Sequence, residues 1–460
     1  MPTQYLGLVA VAGLSFGLRF WALGRFDDWV FDEMYYARFA QAYLAGEQVF
    51  DAHPPLGKYA IALGVWLHSH LSLSNSLANS SATALSVVGE RWMNAFVGSL
   101  VPLLVIGIGR TLTKACKARS WCFALLAGAF VAVDGLFVTE SRYALLNIYV
   151  VFFGLLGHWL WLQAGVINQG GRRRFGLQLM SGVALGTAIA TKWNGLGYLL
   201  SLWLWLICQQ SSLSTSLSTL LSSESFSMRF AKASVIRGVC LGLLPLLIYC
   251  LIWWPHLLLN GVSLLSAHRI LLTFHTGLDT VQAACSRWFT WPLLIKPISY
   301  WYVEAGESAY AVNNLGNPAL WWLSSAAVLL VLGEMCGTWM RAVWREGSSA
   351  DDSCLEETRA SERVRRYLVI GYLANWLPWM FVGRCTYIYL YMPAVVFGFM
   401  LLAWLLSGWV AADSPVGTRV VGGVMLGAIS ISFLFWLPLS LGLPLTSEQL
   451  ALRWWLPSWI

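Results

Sequence analysis

Charge is scarce in this chain. Lys and Arg number 29, and Asp and Glu 22, together 11% of 460 residues. A water-soluble domain needs roughly a quarter or more of its surface charged, so a soluble globular enzyme is excluded. The nine Cys form no CxxC and no Cys/His metal-ligand spacing, which argues against a zinc or dithiol redox site. Most of them read as small buried hydrophobes; Cys285 and Cys385 could share the outer side of a membrane and pair there. No dense carboxylate cluster occurs, so no cofactor and no divalent metal is expected to be required. No internal repeat is visible, which disfavours a transporter built from two related halves. The N-terminal stretch lacks a basic n-region and a small-residue cleavage site, and it reads as a first span.

Apolar sequence fills the space that charge leaves. Hydrophobic residues make up 58% of the chain, and the mean hydropathy is +0.63. Stretches long enough to cross roughly 30 Å of hydrocarbon recur from end to end. The 27 Trp and 17 Tyr suit long membrane–water interfaces. The expected fold is an all-α polytopic membrane protein with about eleven spans, near 3–24, 93–110, 120–138, 144–163, 177–191, 195–208, 238–254, 319–338, 367–383, 391–410 and 419–437. It forms one membrane-embedded unit over 1–460 with no separate soluble domain. Basic clusters at 110–119, 172–174, 229–237 and 341–366 alternate with two long acidic and aromatic loops, 25–90 and 256–315. Short Lys/Arg-rich loops stay cytoplasmic, which places the N-terminus inside, and the C-terminus and both long loops outside. The net charge of +7 therefore speaks to orientation and not to nucleic acid. Serine-rich 211–227 reads as a cytoplasmic linker and 71–87 as a surface insertion. The two long loops read as interfacial helices.

The first loop carries Asp32-Glu33 and then Asp51-Ala52-His53-Pro54-Pro55-Leu56-Gly57-Lys58. Adjacent carboxylates beside a span can supply a general base and a supporting anion, or can complement a helix N-terminus. Neighbours on a helix diverge by about 100°, so the two do not share one task, and register alone leaves open which is the base. His53-Pro54-Pro55 forces a rigid extended turn that holds His53 at a pocket wall or redirects the chain. Arg91, Arg142, Lys192 and Arg384 stand at the outer ends of spans. There they snorkel to lipid or converge on a phosphate. Tyr387, Tyr389 and Tyr391 follow Arg384 and can line a lipid groove.

In their order these segments resemble the protein O-mannosyltransferases of the GT-C class. The resemblance rests on FDEMYYARFAQAYLAGEQVFDAHPPLGK at 31–58, ERWMNAFVGSLVP at 90–102, DGLFVTESRYALLN at 134–147, ATKWNGL at 190–196 and WWPH at 253–256. It continues through WFTWPLLIKPISYWY at 288–302, GNPALWW at 316–322, NWLPW at 375–379, RCTYIYLYMPAVVF at 384–397 and RWWLPSW at 453–459. It implies a donor of mannose linked to a polyprenyl phosphate, a Ser/Thr hydroxyl of an exported protein as acceptor, and inversion at the anomeric carbon. It implies catalytic roles for Asp32 and Glu33, and acceptor or sugar contacts for His53, Pro54, Pro55 and Lys58. The donor phosphate and lipid fall to Arg91, Arg142, Lys192, Arg384 and Tyr389. Asn147, Lys296 and Leu390 depart from the Asp, Arg and His frequent in the family. The second loop is too short for the luminal sugar-binding-type domain of eukaryotic members, which implies a bacterial-type enzyme of the plasma membrane. Its implied partners are membrane lipids and acceptors delivered by the secretion machinery. Two other classes fit less well: a GT-C enzyme with a lipid or polysaccharide acceptor, and a non-enzymatic lipid-sugar transporter, which needs ionisable groups deep in its spans.

Overall fold

A computed structural model describes residues 3–71, 82–114, 117–166, 171–214, 233–277, 283–344 and 352–459. The serine-rich linker from 215 onward and positions 72–81 of the expected insertion lie outside these residues. So do Arg229, Lys232 and positions 345–351 of the last basic loop.

The first half is helical: α1 (Thr3–Phe20), α2 (Glu33–Ala45), α3 (Leu56–His70), α4 (Ala82–Leu112), α5 (Lys117–Ala132), α6 (Gly135–Arg142), α7 (Asn147–Val166), α8 (Gly171–Thr191) and α9 (Leu196–Ser214). There follow α10 (Leu244–Asn260), entered through a π turn at Val239–Leu243, and α11 (Leu264–Thr276). A hairpin of β1 (Ser299–Ala305) and β2 (Ser308–Asn313) precedes α12 (Pro318–Trp344), α13 (Asp352–Trp376), α14 (Met392–Trp409) and α15 (Val416–Leu441). The chain closes with β3 (Pro444–Leu445) and α16 (Ser447–Ala451).

Among the described residues, six helices are long and apolar enough to cross a bilayer: Val87–Leu112, Asn147–Val166, Ala233–Asn260, Pro318–Thr338, Ile388–Trp409 and Val416–Leu441. The pair α5 and α6, bent by 58°, makes a seventh if it is one span. The other expected spans fall on α1, α8, α9 and α13, which are shorter or more polar. Burial separates centre from rim: 94% of the tested window of Ile388–Trp409 is buried, against 22% for Ala233–Asn260 and for Val416–Leu441. Apolar on every side, the first is a core helix, while the other two turn apolar faces to lipid.

The bend between α5 and α6 has an identifiable cause. Asp134 is extended, caps α6 by accepting from the Phe137 amide at 3.2 Å, and takes the Asn317 amide at 2.9 Å and the Trp321 indole at 2.7 Å on its other oxygen. Buried Arg19 donates to the Val131 and Ala132 carbonyls at 3.3 and 3.4 Å. A helix broken inside protein is tolerated when its freed donors and acceptors are met in this way.

The fold is mainly helical, as expected; what differs is the second long loop, read from sequence as interfacial helices. The second long loop holds one interfacial-type helix, α11, and then an antiparallel hairpin with Trp301 opposite Val312 and Ala305 opposite Ser308. Gly306, at φ 63°, makes the tight turn. β3 adds a third strand to β2 through Ala309–Leu445 and Tyr310–Pro444, tying the C-terminal segment to the loop. Two short runs of aromatic, Val and small residues on either side of Gly306-Glu307 carry this hairpin in the sequence.

Candidate active site

A cavity of about 600 Å³ lies where the first long loop, the α8–α9 turn, the end of α11 and the α13–α14 segment meet. Its lining is mixed: His53, Lys192, Asn194, His275 and Arg384 are polar, and Leu196, Leu199, Leu200, Trp203, Pro378 and Trp379 are apolar. Leu196 and Leu200, 51% and 41% exposed, continue with Leu204 and Ile207 as an exposed apolar row along α9. In a membrane-spanning bundle such a row meets lipid, so part of the cavity lining belongs to the bilayer side of the protein.

The two neighbouring carboxylates have opposite surroundings. Glu33 is fully buried and forms a two-pronged ion pair with Arg91, 2.8 Å from each prong. Its oxygens also accept the Val30 amide at 2.9 Å and the Ala144 amide at 3.0 Å. Asp32 stands at the N-cap of α2 without capping it. Burial pushes its carboxyl up to about 6, with Lys192 opposing the rise and Asp51 adding to it. Asp32 is thus a poised carboxylate, and Glu33 has no lone pair left for a substrate.

The expected cations divide likewise. Arg91 spends its remaining donors on the Leu23, Phe26 and Asp28 carbonyls at 3.2, 2.9 and 2.8 Å. Arg142 donates to the Leu18 and Trp21 carbonyls at 2.8 and 2.7 Å and closes the end of α1. Neither is on the cavity wall: Arg91 is engaged in holding the first long loop together, and Arg142 in closing the end of α1. Lys192 and Arg384 are on the wall. The Lys192 ammonium donates to Asn147 Oδ1 at 2.9 Å and lies 4.9 Å from the Tyr389 ring centre. Tyr389 itself is buried behind the wall, stacked on Tyr387.

In the His53-Pro54-Pro55 turn, His53 and Pro54 face the cavity, whereas Pro55 caps α3. Burial and nearby Lys192 and Lys58 hold the His53 imidazole well below its usual value, so it is neutral. Lys58 is fully buried, paired with Asp51 and bonded to the His53 carbonyl at 2.7 Å. It rivets the turn from behind and is not on the cavity wall. His275 donates from Nε2 to the Ala52 carbonyl at 2.8 Å, fastening α11 to the same turn. Cys285 and Cys385 form a disulfide across 100 residues, and Thr386 and Ser286 exchange hydrogen bonds of 2.8 and 2.6 Å beside it. Arg384 is anchored by this clasp.

Sequence reading missed Glu140 and Tyr300. Glu140 is fully buried, accepts from Asn147 Nδ2 at 3.0 Å and from the Tyr300 hydroxyl. An acid inside otherwise apolar sequence was its only signal. Asn147 bridges Lys192 to Glu140, which an Asp there would do less well, because it has no hydrogen to give to the carboxylate. Leu390 is on the cavity wall and Lys296 is not.

The fold and this lipid-open cationic cavity define a polytopic membrane glycosyltransferase. The same architecture occurs in the Saccharomyces cerevisiae protein O-mannosyltransferase Pmt1-Pmt2 complex bound to the sugar donor, with a TM-score of 0.83 at 16% identity over 100% of this chain and 93% of that one. It occurs more distantly in the archaeal oligosaccharyltransferase AglB from Archaeoglobus fulgidus, with a TM-score of 0.57 at 13% identity over 98% and 58% of the two chains. Residues 9–260 match the family model for dolichyl-phosphate-mannose-protein mannosyltransferase, and 262–459 the C-terminal four TMM region of protein-O-mannosyltransferase. The chain belongs to the dolichyl-phosphate-mannose-protein mannosyltransferase family. Among its relatives, the polyprenol-phosphate-mannose–protein mannosyltransferase of Mycolicibacterium smegmatis is 23% identical over 94% of this chain and 87% of that one.

Proposed function

We propose that this membrane glycosyltransferase moves mannose from a polyprenyl-phosphate-mannose to Ser/Thr hydroxyls of proteins, with inversion, in a single membrane-embedded unit at the outer face of the plasma membrane. The observation that carries this reading is a poised carboxylate, Asp32, within electrostatic reach of Lys192, which lines a cavity shared by cationic side chains and by exposed apolar residues of α9. A polyprenyl phosphate cannot leave the bilayer and a protein cannot enter it, so the reaction belongs at such a junction.

In the step, Asp32 takes the hydroxyl proton as the oxygen attacks C1 of mannose. The bond from C1 to the phosphate oxygen breaks, and polyprenyl phosphate leaves with the electron pair. Arg384 and Lys192 offset the charge gathering on that phosphate in a low-dielectric site. Leu196, Leu200 and Trp203 accommodate the first isoprene units, while neutral His53 and Pro54 form the wall on the acceptor side. Acceptors reach it as the secretion machinery delivers them.

The test is to incubate the purified protein with labelled polyprenyl-phosphate-mannose and a Ser/Thr peptide and to identify the product. An α-mannosyl peptide is expected. Transfer to lipid or polysaccharide alone, or no consumption of donor, sinks the reading.

A further inference from the structure

Phe31, the residue before Asp32, has φ 57°. A bulky side chain in the left-handed region is a backbone outlier that persists only where its surroundings hold it. The holder is Tyr300 of β1, whose ring lies parallel to Phe31 with centres 4.2 Å apart and planes 6° apart. Tyr389 packs edge-on from another side at 6.3 Å.

The same Tyr300 reaches the other side of the reaction centre. Its hydroxyl donates to Glu140 and accepts from Asn314 Nδ2 at 3.1 Å. Asn314 is fixed in turn by the Ile298 amide, 2.7 Å from its Oδ1. Beyond Glu140 the chain of bonds runs through Asn147, 3.0 Å away, to the Lys192 ammonium at 2.9 Å. One buried side chain therefore has two arms: a ring arm to the backbone that presents Asp32, and a hydroxyl arm to the cation beside it.

We propose that Tyr300 is a positioning residue for the transfer reaction, setting the distance between the carboxylate of Asp32 and the ammonium of Lys192. This rests on the roles given above to those two groups. Base and phosphate cation act on opposite sides of one carbon, and a displacement of about 1 Å between such groups costs on the order of 10²-fold in rate. Phe31, Glu140, Asn147 and Lys192 fall in the segment matched by the first family model, and Tyr300 and Asn314 in that matched by the second. The hairpin thus gives the C-terminal half a second route into the chemistry, beside Arg384.

The test uses the purified full-length protein with polyprenyl-phosphate-mannose and a Ser/Thr peptide. Tyr300→Phe keeps the ring arm and cuts the hydroxyl arm; kcat/KM for donor should fall by about tenfold, with KM for peptide unchanged. Tyr300→Leu cuts both and should lower kcat by about a further tenfold. In a Lys192→Met background the Tyr300→Phe loss should vanish. In an Asp32→Asn background the extra loss from Phe to Leu should vanish, because a residue acting through another adds nothing once that other is gone. Equal factors in both backgrounds, or unchanged kinetics in either Tyr300 variant, overturn the proposal. If Tyr300→Leu does not fold, Tyr300→Phe against Lys192→Met decides. An unmodified protein that makes no mannosyl peptide is a different result and removes the functional reading itself.

Discussion

Glu33 holds Arg91 through both carboxylate oxygens at 2.8 Å, with neither side chain exposed. Breaking a buried pair strands the remaining charge, at a cost of about 3–5 kcal/mol. Arg91→Ala and Glu33→Gln are therefore expected to fail first in stability. Thermal unfolding in detergent should show a large loss, while whatever fraction stays folded keeps measurable specific activity. A variant with normal melting and no turnover would move Glu33 into the chemistry.

Asp32→Asn has the opposite profile. It preserves size but cannot take a proton, so donor binding should persist and kcat fall by on the order of 10²-fold or more. Because burial pushes the Asp32 carboxyl up to about 6, kcat of the unmodified protein should fall as pH drops through 6, with no such limb in the residual rate of Asp32→Asn. The same shift acts on stability with a defined sign. Between about pH 4 and 6 the folded state holds a proton that the unfolded chain releases, so stability declines as pH rises through that window. Asp32→Asn escapes the loss and should melt higher at pH 7.5, by on the order of 2 kcal/mol. Equal melting of the two proteins at pH 7.5 would contradict this.

Arg384 faces the cavity and, among the described residues, donates one hydrogen bond, 3.3 Å to the Cys385 carbonyl, so its guanidinium can meet an anion there. Arg384→Ala should raise KM for the lipid donor about tenfold or more and slow transfer. Arg384→Lys should restore it only in part, because an ammonium lacks the planar fork. Donor titrations at fixed peptide separate these outcomes, and normal kinetics in Arg384→Ala would return the residue to simple snorkelling.

The Cys285–Cys385 bond sits next to that arginine. A cross-link closing a loop this long contributes about 2–4 kcal/mol or more. Cys285→Ser should lower the melting temperature and raise KM for donor, leaving KM for peptide nearly unchanged. Reductant should reproduce the effect in the unmodified protein and add nothing in Cys285→Ser.

Orientation is checked by single-cysteine labelling. Ser447, which is exposed, reports on the side proposed to face outward, and Phe175, 40% exposed, on the side proposed to be cytoplasmic. An impermeant reagent applied to intact cells should reach Ser447→Cys and not Phe175→Cys. Labelling of Phe175→Cys from outside would invert the topology.

Much of the site was legible because its chemistry is written in rare residues. In a chain so poor in charge, Asp32, His53, Lys192 and Arg384 stand out, and all but Asp32 are on the cavity wall. What could not be read was how each cation spends its hydrogen bonds. Arg91, Arg142 and Lys58 look no different in sequence from Arg384, yet backbone carbonyls and buried acids consume the first three. Those partners lie up to about 120 residues away, beyond the reach of local pattern. The β1–β2 hairpin was readable in principle, from two short aromatic- and Val-bearing runs joined by Gly306-Glu307, but its setting between membrane helices suggested interfacial helices instead.

The flank of the cavity formed by Leu196 and Leu200 has a kinetic meaning. A ligand entering between lipid-facing leucines is drawn from the plane of the bilayer, so the quantity that fills the site is its mole fraction among lipids and not its molarity in the tube. Adding inert detergent or phospholipid at constant total donor should slow the reaction by surface dilution alone, whereas diluting the whole sample in buffer should leave occupancy of the lipid site untouched. In a cell, the rate then follows how crowded the leaflet is with charged polyprenols, which sets this enzyme in competition with every other consumer of the same carrier.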